Sequence, residues 1–239
     1  MSVKKTENEL NIHKKAALDN IEKFIDSLIS SDDKKQKQAD LLCYWLNDYI
    51  RFLKKEQTYD PKKGRKYQRG DIVKVHLGFR IGSEEGGLHY CVVLDKDNPL
   101  SSPILTVVPL TSVKDTNSIN ELPKGNIYLG NEIHNSLILK VKTLLKLART
   151  MSNELKGIGS NDNNLELENR ITQLEKFVAE IKRMKRGSIA LTNQVVTISK
   201  LRIYDPKSDD DILSGIKLSN TNLDKIDEQI LCNYTNIKS

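Results

Sequence analysis

The chain has 239 residues, of which 38% are hydrophobic, 5% aromatic and 29% charged. No stretch reaches the roughly 20 apolar residues that span a bilayer, and the polar first ten residues lack the apolar region of a signal peptide, so we expect no membrane contact and a cytoplasmic location. The three cysteines are widely spaced and odd in number: Cys43, Cys91 and Cys232. Their spacing does not match that of a metal site, so we expect no structural metal and no cofactor.

The positive charge is concentrated in two segments. Residues 51–69 carry 8 basic and 2 acidic side chains, and residues 140–187 carry 11 basic and 6 acidic ones. Clustered basic side chains favour nucleic acid binding because they neutralise phosphates. A solvated linker and a solvated helix face have the same composition, so charge alone leaves both interpretations open.

The first part of the chain predicts a helical hairpin over residues 1–57. Apolar residues three and four positions apart indicate helices over 8–30 and 34–56: Leu18, Ile21, Ile25 and Leu28 in the first, and Ala39, Leu42, Leu46, Ile50 and Leu53 in the second. Residues 58–69 contain Pro61, Gly64 and five basic side chains, and this composition predicts a basic linker.

Residues 70–134 change to a β pattern. Short apolar runs at 72–77, 90–94, 104–110 and 126–129 are separated by turn residues, including four glycines within 78–87. This arrangement predicts an antiparallel sheet or barrel.

Residues 135–187 return to a helical period and predict an antiparallel hairpin, with its loop at 157–164. The two apolar stripes are Leu137, Val141, Leu144, Ala148 and Met151, then Leu167, Ile171, Leu174, Val178 and Ile181. Residues 188–203 are β-rich again, and Ser219 is the predicted cap of a last helix. We therefore predict one barrel whose second part, 188–239, follows a hairpin inserted between two strands.

Three motifs occur in a fixed order around this insertion. The first motif consists of Arg69-Gly70-Asp71-Ile72-Val73 and the loop 82–87, GSEEGG. The second is the segment 101–112, SSPILTVVPLTS. The third is the segment 194–201, QVVTISKL, followed by Leu218-Ser219 and Ile226-Asp227-Glu228. Together they resemble the MazF/PemK family of toxins. The resemblance covers about 70–125 and 188–231 and leaves out residues 1–69 and the hairpin.

The resemblance implies an α+β fold: an SH3-like (MazF/CcdB-type) antiparallel β-barrel, here with an N-terminal helical extension, an inserted helical hairpin and a C-terminal helix. It implies a homodimeric, metal-independent endoribonuclease that cleaves single-stranded RNA and inhibits growth. The implied protein partner is a cognate antitoxin, together with which the family also binds DNA.

The same resemblance places the catalytic pair at His89 and Thr111. His89 stands where the family has an arginine, and Tyr90 stands where a proline usually follows. Histidine titrates near neutral pH and transfers protons readily, so His89 is interpreted as the acid/base group. The alternatives are an altered or inactive site, and a surface histidine that bonds to the backbone.

The predicted substrate-binding residues are Ser83, Glu84, Gly86, Gly87, Ser112 and Gln194. Glu84 is also a candidate partner for His89. Val196 stands where the family has a second arginine, so a phosphate contact is predicted to be missing. Solvated loop residues and hydroxyls that cap a turn are the structural alternatives for this set.

Two other function classes compete with the nuclease. A barrel of the CcdB type binds and inhibits a topoisomerase without cleaving anything, and a nucleic-acid-binding regulator would use the same fold. The two missing arginines favour a non-catalytic module, whereas Thr111 and the GSEEGG loop favour the nuclease. The N-terminal helices either gate the RNA groove or enlarge an interface.

Overall fold

The structure is a computed structural model that describes residues 5–114, 122–157, 161–182 and 186–236. Residues 158–160 of the predicted hairpin loop lie outside the described residues, as do residues 183–185 at the end of the predicted hairpin. The chain divides into two compact units, Met1–Gln57 and Thr58–Ser239.

The first unit is a pair of helices, α1 (Glu7–Ile29) and α2 (Asp33–Glu56). Helix α1 begins with a capping box: the Thr6 hydroxyl accepts from the Glu9 amide, and the Glu9 carboxylate accepts from the Thr6 amide at 2.8 Å. Asp32 caps α2 by accepting from the Lys35 amide at 3.0 Å. The helices predicted over 8–30 and 34–56 are confirmed.

The second unit is built on an antiparallel sheet of seven strands. The strands are β1 (Ile72–His76), β2 (Leu88–Val93), β3 (Ile104–Ser112), β4 (Asn126–Tyr128), β5 (Ser188–Leu191), β6 (Val196–Ser199) and β7 (Ile203–Asp205). They lie in the order β4-β5-β3-β2-β1-β7, and β6 pairs with the first half of β3. The predicted α+β class with an antiparallel sheet is confirmed.

Both faces of this sheet are buried, because side chains alternate between the faces along each strand. Ile72, Val92 and Val108 belong to a core shared with the helices, whereas Val73 and Cys91 belong to a second core enclosed by β6 and β7. Burial on both sides explains why consecutive apolar residues occur in β1 (Ile72-Val73) and in β3 (Val107 to Leu110) in place of a strict apolar and polar alternation.

The helical hairpin consists of α3 (Glu132–Gly157) and α4 (Asn161–Ile181). It leaves the sheet after β4 and returns to β5, and these two strands pair with each other. Leu137, Leu174 and Ile181 are buried in the same core as Ile72. The hairpin is therefore inserted between neighbouring strands and shares the core of the sheet.

A polar contact also joins the hairpin to the sheet. The Glu180 carboxylate in α4 accepts from the Lys74 ammonium at 2.6 Å and from the Tyr90 hydroxyl at 2.8 Å. Burial, with the nearby charge of Glu180, raises the pKa of Tyr90 far above its usual range, so the hydroxyl remains a donor. The bond from the Tyr90 hydroxyl therefore joins the sheet to the inserted hairpin.

The segment predicted as a basic linker, 58–69, packs against the rest of the second unit. Tyr67 is buried and donates to the carbonyl of Pro206 at 2.7 Å, while Arg69 donates to the carbonyl of Leu94 at 2.6 Å and pairs with Asp227. Composition describes the segment as a linker, but these partners are distant in sequence and become visible only in the fold.

The last helix, α5 (Asn220–Tyr234), begins after Ser219 as predicted, but the Ser219 side chain does not cap it. Its hydroxyl donates instead to the Glu132 carboxylate in α3, at 2.9 Å. Ser219 is the N-cap residue as predicted, and its side chain bonds to a carboxylate on another helix instead of to the first turn of α5.

Candidate active site

A glycine-rich loop between β1 and β2 forms one side of the site. It is closed by two backbone bonds, from the Leu77 amide to the Gly87 carbonyl (2.7 Å) and from the Gly87 amide to the Gly78 carbonyl (2.8 Å). Gly87 has a φ of +79°, and a Cβ on Gly86 would lie 3.0 Å from the Gly78 oxygen. Gly86 and Gly87, predicted to bind substrate, thus allow the loop to close.

Gln194 holds this loop from the opposite side. Its Oε1 accepts from the Glu85 amide at 2.6 Å, and its Nε2 donates to the Ser83 carbonyl at 3.3 Å. Both ends of the side-chain amide are thus bonded to the loop backbone. The structure gives Gln194 a positioning role, and its predicted contact with substrate stays a prediction.

The partner of His89 is Glu85, and the predicted pairing with Glu84 is wrong. His89 Nε2 lies 2.9 Å from Glu85 Oε1, whereas Glu84 is 60% exposed and its carboxylate lies 3.9 Å from an Arg80 nitrogen. Adjacent loop residues point in different directions, so sequence alone does not choose between two consecutive glutamates.

Both ring nitrogens of His89 face hydrogen-bond acceptors. Nδ1 lies 3.4 Å from the carbonyl oxygen of Leu110, and Nε2 faces the Glu85 carboxylate. A neutral imidazole has one N–H, so only the protonated ring donates to both partners. The site therefore offers a hydrogen-bond acceptor to each ring nitrogen of His89.

Three of the predicted residues border one cavity of about 280 Å³, the His89 cavity. His89, Thr111 and Ser112 line it together with Glu180. Thr111 and Ser112 stand at the end of β3, and in the described part of the chain their hydroxyls make no hydrogen bond. These hydroxyls are free to donate to a ligand.

The other predicted polar residues border a groove of about 490 Å³, the loop groove. Ser83, Glu84 and Gln194 line it with Arg80, Glu85 and Val196. Glu85 connects the two spaces, since it borders the loop groove and bonds to His89 in the cavity. The sequence motifs do not assign a role to Arg80 or to Glu85.

A larger cleft of about 720 Å³, lined by Met151, Arg170 and Asp210, contains none of the predicted residues.

Comparison with known families gives a match over residues 68–174, to the model described as a PemK-like, MazF-like toxin of type II toxin-antitoxin systems. The matched segment covers less than half of the 239 residues, and over that segment the chain is similar to the PemK-like, MazF-like toxin family. The segment includes β1 to β4, the glycine-rich loop, His89 and Thr111. A search of curated proteins gives no match.

The match differs in extent from the resemblance seen in the motifs. It continues through α3 into α4 and ends before β5, so the third motif lies beyond it. The structure nevertheless places β5 and β6 beside β3 in one sheet, which ties residues 188–199 to the PemK-like region.

Within the described ranges, none of the helices combines the length and the apolar content that a membrane span requires. No cluster of three or more His, Cys, Asp or Glu side chains in the described ranges has the arrangement of a metal site.

Proposed function

We propose that this PemK-like chain is a metal-independent endoribonuclease, the toxin of a type II toxin–antitoxin pair, which cleaves single-stranded RNA and inhibits growth. The observation that carries the proposal is the pairing of His89 with Glu85 at a cavity shared with Thr111. A proton donor, a carboxylate that orients it and free hydroxyls are the parts that metal-free phosphodiester cleavage requires.

In the proposed reaction, the 2′-oxygen of a ribose attacks the adjacent phosphorus and the bond from phosphorus to the 5′-oxygen breaks. The 2′-hydroxyl loses its proton to solvent water as its oxygen attacks. His89 gives its proton to the leaving 5′-oxygen and takes up another from solvent before the next turnover. Glu85 holds the ring in orientation, and the hydroxyls of Thr111 and Ser112 donate to the negative charge that builds on the phosphate. The products are a 2′,3′-cyclic phosphate and a 5′-hydroxyl.

The partners follow from the family and the proposed substrate. We propose a cognate antitoxin that blocks the toxin, a homodimer as the working form, and DNA binding together with the antitoxin. A nuclease acting on messenger RNA would act in the cytoplasm, and no cofactor is needed for attack by the 2′-hydroxyl.

A non-catalytic binding module is the second candidate function. The observation that favours it is the absence of arginine at His89 and at Val196, the latter lining the loop groove. Such a module would bind nucleic acid or a topoisomerase and leave it intact.

Incubating the purified full chain with a long RNA of mixed sequence, in the presence of EDTA, should give discrete fragments. Single-stranded DNA of the same sequence is the control and should stay intact, because it has no 2′-hydroxyl. If clean protein leaves the RNA intact under all conditions tried, the nuclease proposal is wrong and the binding module becomes the better account.

A further inference from the structure

We propose that Arg80 binds a phosphate of the RNA in the loop groove and supplies the guanidinium that is absent at Val196. The inference rests on the proposed function for the identity of the ligand, a single-stranded RNA. It concerns binding, and it holds or fails independently of whether the bound RNA is cut.

Arg80 borders the same groove as Val196, together with Ser83 and Gln194. Its Nε donates to the carbonyl of Leu77 at 2.9 Å, which fixes the direction of the guanidinium and leaves the terminal nitrogens for other partners. One of these nitrogens lies 3.9 Å from the Glu84 carboxylate, at the outer limit of an ion pair. An exposed pair at that distance contributes little, so it does not compete strongly with a phosphate.

The loop makes room for the Arg80 side chain. A Cβ on Gly86 would lie 3.1 Å from the Arg80 Cγ and 3.2 Å from its Cβ, so any larger residue there would displace the arginine stem. The side chain is 30% exposed, with its stem held against the glycine. Gly86 therefore serves to seat Arg80 at the groove.

A second guanidinium lies close by. Arg202 donates from Nε to the carbonyl of His76 at 2.8 Å, so consecutive carbonyls, those of His76 and Leu77, anchor the two arginines. Burial and then the positive charge of Arg80 lower the pKa of Arg202. Two carboxylates also line the groove, but Glu85 bonds to His89 and Glu84 lies 3.9 Å from Arg80. The Arg80 guanidinium therefore remains able to bind an anion, and phosphate fits the guanidinium fork well.

The test uses a fluorescent 2′-O-methyl RNA oligonucleotide, which the proposed reaction cannot cleave because its 2′-oxygen is blocked. Anisotropy titrations at several salt concentrations give the affinity and its salt dependence. Arg80→Met keeps the stem and removes the charge. We expect it to weaken binding about tenfold at low salt, as for one charge-assisted contact, and to reduce the slope of log K against log salt by about 0.7, the value for one phosphate on a single strand.

Arg149→Met is the matched control, because Arg149 is 59% exposed and pairs with Glu175 on the hairpin. It should leave affinity and slope unchanged, and Arg80→Lys should fall between the wild type and Arg80→Met. An unchanged affinity or slope in Arg80→Met, or no binding by the unaltered chain, would overturn the inference. Binding that depends on Arg80 without cleavage of ordinary RNA would support it and refute the nuclease proposal alone.

Discussion

Replacing His89 by Ala should lower the rate of RNA cleavage by about 10²- to 10⁴-fold, the usual contribution of a general acid. The reason is that His89 lines the cavity and is the proposed proton donor, held by the Glu85 carboxylate and near the Leu110 carbonyl. Thr111→Val, which removes a free hydroxyl at the same cavity, should also lower the rate. Initial rates in EDTA, with circular dichroism to verify folding, provide the measurement.

His134→Ala and His89→Arg are the informative companions to this experiment. His134 lies in α3 and does not line the His89 cavity, so its removal should leave the rate unchanged. Arginine at position 89 restores the family residue and should retain more activity than alanine. A His89→Ala protein that cuts RNA at the wild-type rate would refute the role given to His89.

Ile181→Ala should reduce the free energy of unfolding by about 2–5 kcal/mol, the range for truncating a fully buried isoleucine. Ile181 ends α4 and is fully buried in the core that also contains Ile72 and Val92 of the sheet. Because hairpin and sheet share this core, the loss should appear in the unfolding of the whole second unit. Urea denaturation followed by far-ultraviolet circular dichroism measures it.

Ile81→Ala makes the same chemical change on the glycine-rich loop, where the side chain is 85% exposed. This control should change stability by less than about 0.5 kcal/mol. Equal, small effects of the two substitutions would mean that the hairpin does not contribute to the core as described.

The helices and strands were predictable because the hydrophobic patterns that indicate them are local in the sequence. The apolar stripes of α3 and α4 and the β-rich composition of β1 and β3 depend only on residues near one another in sequence. The segment 58–69 was not predictable as packed structure, since Tyr67 and Arg69 find Pro206 and Asp227 more than a hundred residues away. The bond from the Ser219 hydroxyl to Glu132 was not predictable for the same reason, although Ser219 is the N-cap residue that the sequence predicts.

The candidate site was also predictable only in part, where its residues lie in a sequence motif. The motifs identified the glycine-rich loop, His89 and Thr111, because the residues stand at the family's positions. They did not identify Glu85 as the partner of His89, which depends on how the loop turns. Arg80 lies in none of the motifs. It lines the same groove as Val196, which belongs to β6, the strand that pairs with β3.

The most direct test of the central claim uses a short RNA that contains one mapped cut site, with the ribose before the cut replaced by 2′-deoxyribose. With EDTA present, the unaltered RNA should be cut to a 2′,3′-cyclic phosphate end, and the substituted RNA should stay intact at that site. Cleavage of the substituted RNA at the same position would show that the 2′-hydroxyl is not the nucleophile and would contradict the proposed mechanism.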